Sequence, residues 1–303
     1  MDKQIIEVGN DGFKLSLFRG FLVVENVEKN IKKEVPLDNI LSLVLSANNV
    51  LISKNIIYEL CQRGANIIFC GKNYVPSAIT VSTEGHWLVS ERIKYQVDCS
   101  LPLKKNLWKS LVQNKIWNQA LVLEKFFGDN PSINKLNRLA RETLSGDTSN
   151  NEGQAAKIYF KALFGKNFIR DRYETDINIL LNYSYTVLRA IVARAVIGNG
   201  LLPYLGLKHC TRTNTMPLVD DLIEPFRAVA DKFVFEEINR LVNTDKIDLT
   251  PDIKRRLTQI ISYPVETEKG TQSLSDAIYD FVGTLVKSFE NKRVELKYPI
   301  RYS

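Results

Sequence analysis

The apolar residues of this chain change their spacing near residue 85, and that change decides what it can fold into. Before it, Phe13-Lys-Leu-Ser-Leu17 alternates apolar and polar residues with period two, and Arg19-Gly20 follows as a turn. Phe21 to Val24, Ile40 to Leu45, Ala65 to Cys70 and Val75 to Val81 continue as strand-like runs, with a polar break over Glu25 to Lys33. Alternation turns one face of a segment to a core and the other to water, which is the pattern of a sheet. One helix interrupts. Ser53 can cap it, Ile56, Ile57, Leu60 and Cys61 form its apolar stripe, and Gly64 can end it.

Beyond residue 85 the steps become three and four. Leu107, Trp108, Leu111, Val112, Ile116, Trp117, Ala120 and Leu121 mark an amphipathic helix from Leu103 to Phe127, stopped by Gly128-Asp-Asn-Pro131. Further helices are expected from about Glu152 to Phe164, Asp176 to Ile197, Leu222 to Leu241 and Leu274 to Glu290. The expectation is an α+β protein with a small β-rich, sandwich-like domain over 1–85. A larger all-α domain follows over 86–303, with a short basic, aromatic C-terminal tail. A chain of 303 residues suits two such domains.

Charge and composition then narrow the partners. Lys and Arg number 41 against 34 Asp and Glu, a surplus of +7 that admits nucleic acid or an anionic surface. The most apolar stretch, Ile177 to Ile197, carries Asn178, Asn182, Arg189 and Arg194, which are costly in a bilayer, so it reads as a buried helix. Cys61, Cys70, Cys99 and Cys210 lack the close spacing of a zinc or redox motif, and scattered thiols suit a reducing compartment. The N-terminal residues MDKQIIEVGND have no apolar signal stretch. A cytoplasmic protein is expected.

Chemistry has few candidates. Of two histidines, His86 reads as structural. His209 ends the loop-like run Leu205-Gly-Leu-Lys-His209 and is followed by Asp220-Asp221-Leu-Ile-Glu224-Pro-Phe-Arg227. Asp221 and Glu224 are three apart and share a face if helical, with Pro225 placing them in a first turn. Two like charges there repel unless a cation neutralises them. Glu152 would open another helix, with Asn151 as its cap. Each of these acids also has a plain explanation as a helix-start residue favoured by the macrodipole. Together, oxygen ligands and one imidazole favour Mg2+ or Mn2+ over zinc and suit phosphodiester chemistry. Lys157, Lys161, Lys166, Arg170, Arg172, Lys208 and Arg227 are candidate phosphate contacts, or a solvated basic face.

Four segments in order, NEGQAAKIYFKALFG (Asn151 to Gly165), Asp176 to Tyr185, LGLKH (Leu205 to His209) and DLIEPFR (Asp221 to Arg227), resemble the CRISPR-associated integrase family, the Cas1 adaptation proteins. The DLIEPFR form is most similar to members that accompany Cas9-type (type II) systems. The resemblance implies metal ligation by Glu152, His209 and Glu224, with Asp221 as an assisting catalytic acid. Many members carry Asp where this chain has Glu224. It also implies that Asn178 and Tyr185 support the site. The implied reaction is metal-dependent integration, in which the 3′-hydroxyls of short foreign DNA (prespacers) join to the repeat ends of a CRISPR array. Implied partners are double-stranded DNA, a second copy of the chain through its β-rich domain, and the Cas2 protein. A stand-alone metal-dependent nuclease on branched DNA and a non-catalytic nucleic-acid-binding scaffold are the alternatives.

Overall fold

The computed structural model describes residues 4–71, 76–80, 88–171, 177–209, 214–240, 249–299 and 301–302. The chain divides into two compact units, Met1–His86 and Trp87–Ser303. The first holds strands β1 (Gln4–Val8), β2 (Phe13–Phe18), β3 (Phe21–Asn26), β4 (Ile31–Pro36), β5 (Ile40–Leu45), β6 (Val50–Ile52), β7 (Asn66–Cys70) and β8 (Pro76–Ile79), with helix α1 (Lys54–Gln62) between β6 and β7. They build two four-stranded sheets, ordered β1-β5-β7-β8 and β4-β3-β2-β6. Arg19 and Gly20 both take positive φ, 47° and 83°, giving the tight turn that sets Phe18 opposite Phe21. β5 pairs in parallel with β1 and β7 and is buried throughout, so its run is apolar on both faces except at Ser42, whose hydroxyl donates to the Asn66 carbonyl. Leu15, Leu22, Leu43 and Ile67 from the sheets meet Ile56 and Leu60 of α1 in one core.

Two local readings change. Ser53 stands at the cap position of α1, but its hydroxyl makes no cap bond. β3 runs into the segment Glu25 to Lys33, expected as a polar break, and β4 begins inside it. In β4, Lys32, Lys33 and Glu34 are exposed on a sheet edge, where charge discourages pairing with other chains.

The second unit contains α2 (Val89–Val97), α3 (Leu101–Phe127), α4 (Pro131–Glu142), α5 (Asn151–Phe164), α6 (Ile177–Gly198), α7 (Pro217–Leu222), α8 (Arg227–Arg240), α9 (Pro251–Thr258) and α10 (Leu274–Glu290). It is not purely helical. β9 (Pro264–Thr267), β10 (Gly270–Ser273) and β11 (Arg301–Tyr302) form a small antiparallel sheet in which the C-terminal tail supplies an edge strand. α3 is the organising rod, in contact with α4, α5, α7 and α8. α6 is long and apolar enough to cross a membrane, but most of it is buried inside this unit.

α4 was not expected from the sequence. The residues that stop α3 also start α4: Asn130 accepts a hydrogen bond from the Ser132 N–H at 2.9 Å, and Pro131 takes the first helical position. The helix expected from Leu222 to Leu241 is broken instead. α7 ends at Leu222, a 3-10 turn spans Glu224–Phe226, and α8 begins at Arg227. Pro225 has no N–H to continue the α-helical ladder. Leu241 lies outside the described residues.

Candidate active site

Glu152 is positioned by the start of α5. Asn150, rather than Asn151, is the cap, in a left-handed conformation (φ 52°) with its side chain accepting from the Gly153 N–H at 3.3 Å. Buried Asp147 adds a second anchor, its carboxylate accepting from the N–H groups of Asn151 (2.8 Å) and Glu152 (3.1 Å). These bonds fix the backbone and leave the Glu152 side chain to reach α3.

What it meets there is Lys115, a residue the sequence reading passed over. Lys115 Nζ donates to Glu152 Oε1 at 2.6 Å and to Glu224 Oε2 at 2.5 Å. Its side chain is only 10% exposed, so this is an internal ammonium clamped by two carboxylates. Arg227 Nε donates to Glu224 Oε1 at 2.9 Å, and its guanidinium lies 4.5 Å over the Tyr185 ring. Burial alone would raise the Glu224 carboxyl, but Arg227 and Lys115 draw it down to about 2. Burial opposes the Lys115 charge as well, yet Glu224 and Glu152 hold its pKa above the ordinary value.

His209 is positioned by Asp221. Residues 205–209 wrap this fully buried carboxylate, whose Oδ2 accepts from the N–H groups of Leu207 (2.6 Å) and Lys208 (3.0 Å). Its Oδ1 accepts from the His209 N–H at 3.2 Å and meets His209 Nδ1 at 2.6 Å. Gly206 makes the wrap possible: a Cβ there would lie 3.0 Å from Asp221 Oδ2 and 2.9 Å from the His209 carbonyl oxygen. With Nδ1 committed, Nε2 is the remaining ligand atom of the ring. The bond to Asp221 raises the His209 pKa, with burial opposing it and Glu224 and Glu152 adding to the rise. Trp108 braces the ring edge-on, with centroids 5.3 Å apart.

The expected acidic pair therefore does not exist as a pair. Asp221 sits in the last turn of α7 and Glu224 in the 3-10 turn, neither at an α-helix N-terminus, and they serve different partners. Their neighbour Asp220 takes Arg189 in a two-pronged contact at 2.6 and 3.2 Å. The repulsion that suggested an ion is relieved by protein cations and backbone amides. Among the described residues, no three His, Cys, Asp or Glu side chains close into a ready-made metal cage. The donor set still fits a hard divalent cation. Two carboxylates already converge on one cationic atom, and His209 brings a nitrogen whose ring is oriented by a carboxylate.

The candidate phosphate contacts divide. Lys157, Lys161, Lys166 and Lys208 are exposed. Arg227 is committed to Glu224. Arg170 donates to Asn178 Oδ1 at 2.8 Å and Asn182 Oδ1 at 2.7 Å, so Asn178 works by holding this arginine. Arg172, Asp176, His86 and Cys210 lie outside the described residues.

Behind Arg227 lies a buried group that no motif announced. Asp231 accepts from the Tyr185 hydroxyl, while the Tyr159 hydroxyl lies beside it outside hydrogen-bonding geometry. Burial pushes the Asp231 carboxyl from 3.8 up to about 6, against the pull of Tyr185 and Arg227. A raised carboxylate stabilises the fold fully below its unfolded value, and that stability is lost as pH rises through about 6. Asp231→Asn mimics the protonated form. It is expected to be more stable than the parent at pH 8 by up to about 3 kcal/mol, with the difference vanishing near pH 4. Urea denaturation at the two pH values measures this. A cavity of about 230 Å³ opens between this group and the clamp, lined by Lys115, Gln119, Phe160, Tyr185, Arg227 and Asp231 among others.

The sequence matches the family model of CRISPR associated protein Cas1 over residues 6–259. The chain belongs to the Cas1 family. A CRISPR-associated endonuclease Cas1 from Neisseria meningitidis is 36% identical over 292 residues, covering 95% of this chain and 93% of its own length. Among solved structures, a casposase bound to integration product superposes with a TM-score of 0.83 at 16% identity, covering 100% of this chain and 94% of the casposase. A chain of a Cas6-RT-Cas1–Cas2 complex gives 0.78 at 16% identity, covering 99% of this chain and 36% of that longer one. At such identities the structural likeness shows the shared Cas1 fold alone.

Proposed function

We propose that this Cas1 is a metal-dependent DNA integrase of CRISPR adaptation. It joins the 3′-hydroxyl ends of prespacer DNA to the repeat ends of a CRISPR array by transesterification. The observation that carries this reading is the convergence of Glu152 and Glu224 on one cationic point, beside a His209 ring fixed by Asp221. Glu152, Glu224 and His209 Nε2 would hold the ion, Mg2+ or Mn2+. When bound, such an ion polarises a phosphodiester and stabilises charge on the entering and leaving oxygens.

The chain's own part is positioning. The DNA 3′-oxygen forms a bond to phosphorus as the bond to the departing repeat oxygen breaks, so the number of phosphodiesters is conserved and no energy source is needed. Arg227 fixes the rotamer of Glu224, Asp221 fixes His209, and Asp147 with Asn150 fixes Glu152. Lys157, Lys161 and Lys208, all exposed, would follow the phosphate backbone. The names borne by similar structures, a casposase bound to integration product, a TtCas1-DNA complex and a Cas6-RT-Cas1–Cas2 complex, support DNA and Cas2 as partners. A homodimer through the β-rich unit and a cytoplasmic location complete the proposal.

The test is strand transfer of a prespacer duplex into a supercoiled plasmid carrying a repeat, with Mn2+, Mg2+ or chelator. Glu152→Ala and His209→Ala are expected to lower joining by at least about a thousandfold while DNA affinity stays within a few fold. Full activity in either variant refutes the site. The name endonuclease borne by the Neisseria relative favours a second reading, hydrolysis by water at the same residues. Metal-dependent fragments without joined product would select it, and no metal-dependent turnover would select a scaffold.

A further inference from the structure

Lys115 and Gln119 stand four residues apart on α3 and so share one face of the helix. Gln119 is 2% exposed, and its Oε1 is buried without a hydrogen-bond donor. An orphaned buried acceptor is costly and calls for a donor that can reach it. Both residues line the cavity of about 230 Å³, which Asp231 lines as well. One turn away, the Lys115 ammonium occupies the point where Glu152 and Glu224 converge. A divalent cation and an ammonium cannot share that point: at contact distance their charges repel strongly in a site this dry.

We propose that Lys115 has two berths: between Glu152 and Glu224 in the metal-free protein, and on Gln119 Oε1, at the wall of the cavity, when a divalent cation is bound. The inference rests on the metal-site reading above and adds a competitor to it. Lys115 is then an internal counter-ion that keeps two buried carboxylates from repelling each other until metal arrives. Metal affinity is lowered by the population of the clamped state, since only the fraction with Lys115 displaced can bind. The flexible four-carbon stem of lysine and the i, i+4 geometry allow the ammonium to move between berths without moving the helix.

The test is Mn2+ binding to the full chain by titration calorimetry, which needs no DNA and no turnover. Lys115→Met removes the competitor and is expected to tighten Mn2+ by about tenfold or more. Gln119→Leu removes the second berth and is expected to loosen Mn2+ several fold; in the Lys115→Met background it should have no effect. Equal or weaker binding in Lys115→Met overturns the proposal, as does an equal Gln119→Leu effect in both backgrounds. Should Lys115→Met fail to fold, Gln119→Leu decides alone, because it replaces an orphaned polar group by an apolar one: unchanged or tighter binding overturns the proposal. Absence of Mn2+ binding in the parent and in Lys115→Met alike refutes the metal site itself, and the two berths with it.

Discussion

Glu224→Ala is expected to abolish strand transfer and to remove about 3–5 kcal/mol of stability, whereas Glu152→Ala abolishes the activity at a much smaller cost in stability. The two carboxylates hold the same ammonium, but their surroundings differ. Glu224 has a side chain 6% exposed and neutralises both Lys115 and Arg227; Glu152 is 23% exposed and holds Lys115 alone. Removing Glu224 takes the hydrogen-bonded carboxylate from a half-buried guanidinium, which keeps the Tyr185 face and the weaker attraction of Asp220 and Asp231. Removing Glu152 leaves Lys115 still paired with Glu224. Acid titration supplies a second signature. The folded-state pKa of Glu224 is depressed from 4.5 to about 2, so its contribution is present above the unfolded value and is lost as pH falls from about 4.5 towards 2. Chemical denaturation between pH 3 and pH 7 should show that slope in the parent and not in Glu224→Ala. Equal stability losses in the two alanine variants would show that Arg227 does not depend on Glu224.

The readable parts of this site were those written locally in the chain. Glu152 is announced by its Asn-rich helix start, His209 by a glycine-containing loop, and Glu224 by its place before a proline. The relation between Asp221 and His209 was not readable as a clamp. It needs residues 205–209 to fold over a carboxylate twelve positions further on, and spacing says nothing about that approach. Lys115 was hidden for a different reason. A lysine on an amphipathic helix is ordinarily solvated, and the signal that could have marked it is register: Trp108, Val112, Lys115 and Gln119 continue the buried stripe of α3 at steps of four, three and four. Two polar residues on a buried stripe are unusual enough to ask what they face.

The fold shows the same division. Alternation and three-to-four spacing located the turn at Arg19-Gly20 and the helix α3, where burial of one face dominates, while α6 was visible as the most apolar long stretch because most of it is buried. β4 escaped because an edge strand is held by backbone pairing to β3 while its side chains stay in water. The break at Pro225 was legible as a perturbation, but its outcome depends on the tertiary pull of Lys115 and of Asn118, whose side-chain nitrogen donates to the Pro225 carbonyl at 2.8 Å. Both come from α3, more than a hundred residues earlier.

The opposite balance of effects is expected at the other end of the site. Asp221→Asn should cost about 2–4 kcal/mol of stability and lower strand transfer by about 10- to 100-fold. The carboxylate accepts from three backbone N–H groups and meets Nδ1, using both oxygens. An amide offers one oxygen and one NH2. If its oxygen stays on His209, the NH2 faces the Leu207 and Lys208 N–H groups, and a buried and a half-buried donor lose their acceptor. Turned the other way, the NH2 faces His209, and Nδ1 must become the acceptor, which puts the ring proton on Nε2 and spoils it as a ligand. His209→Ala reverses the pattern. It leaves Asp221 its three amide bonds and so costs little stability, but it removes the ligand nitrogen and the activity with it. Melting temperatures and strand-transfer rates of the two variants, measured side by side, separate the positioning acid from the residue it positions. An Asp221→Asn protein as stable as the parent would show that the loop over residues 205–209 is held by something other than this carboxylate.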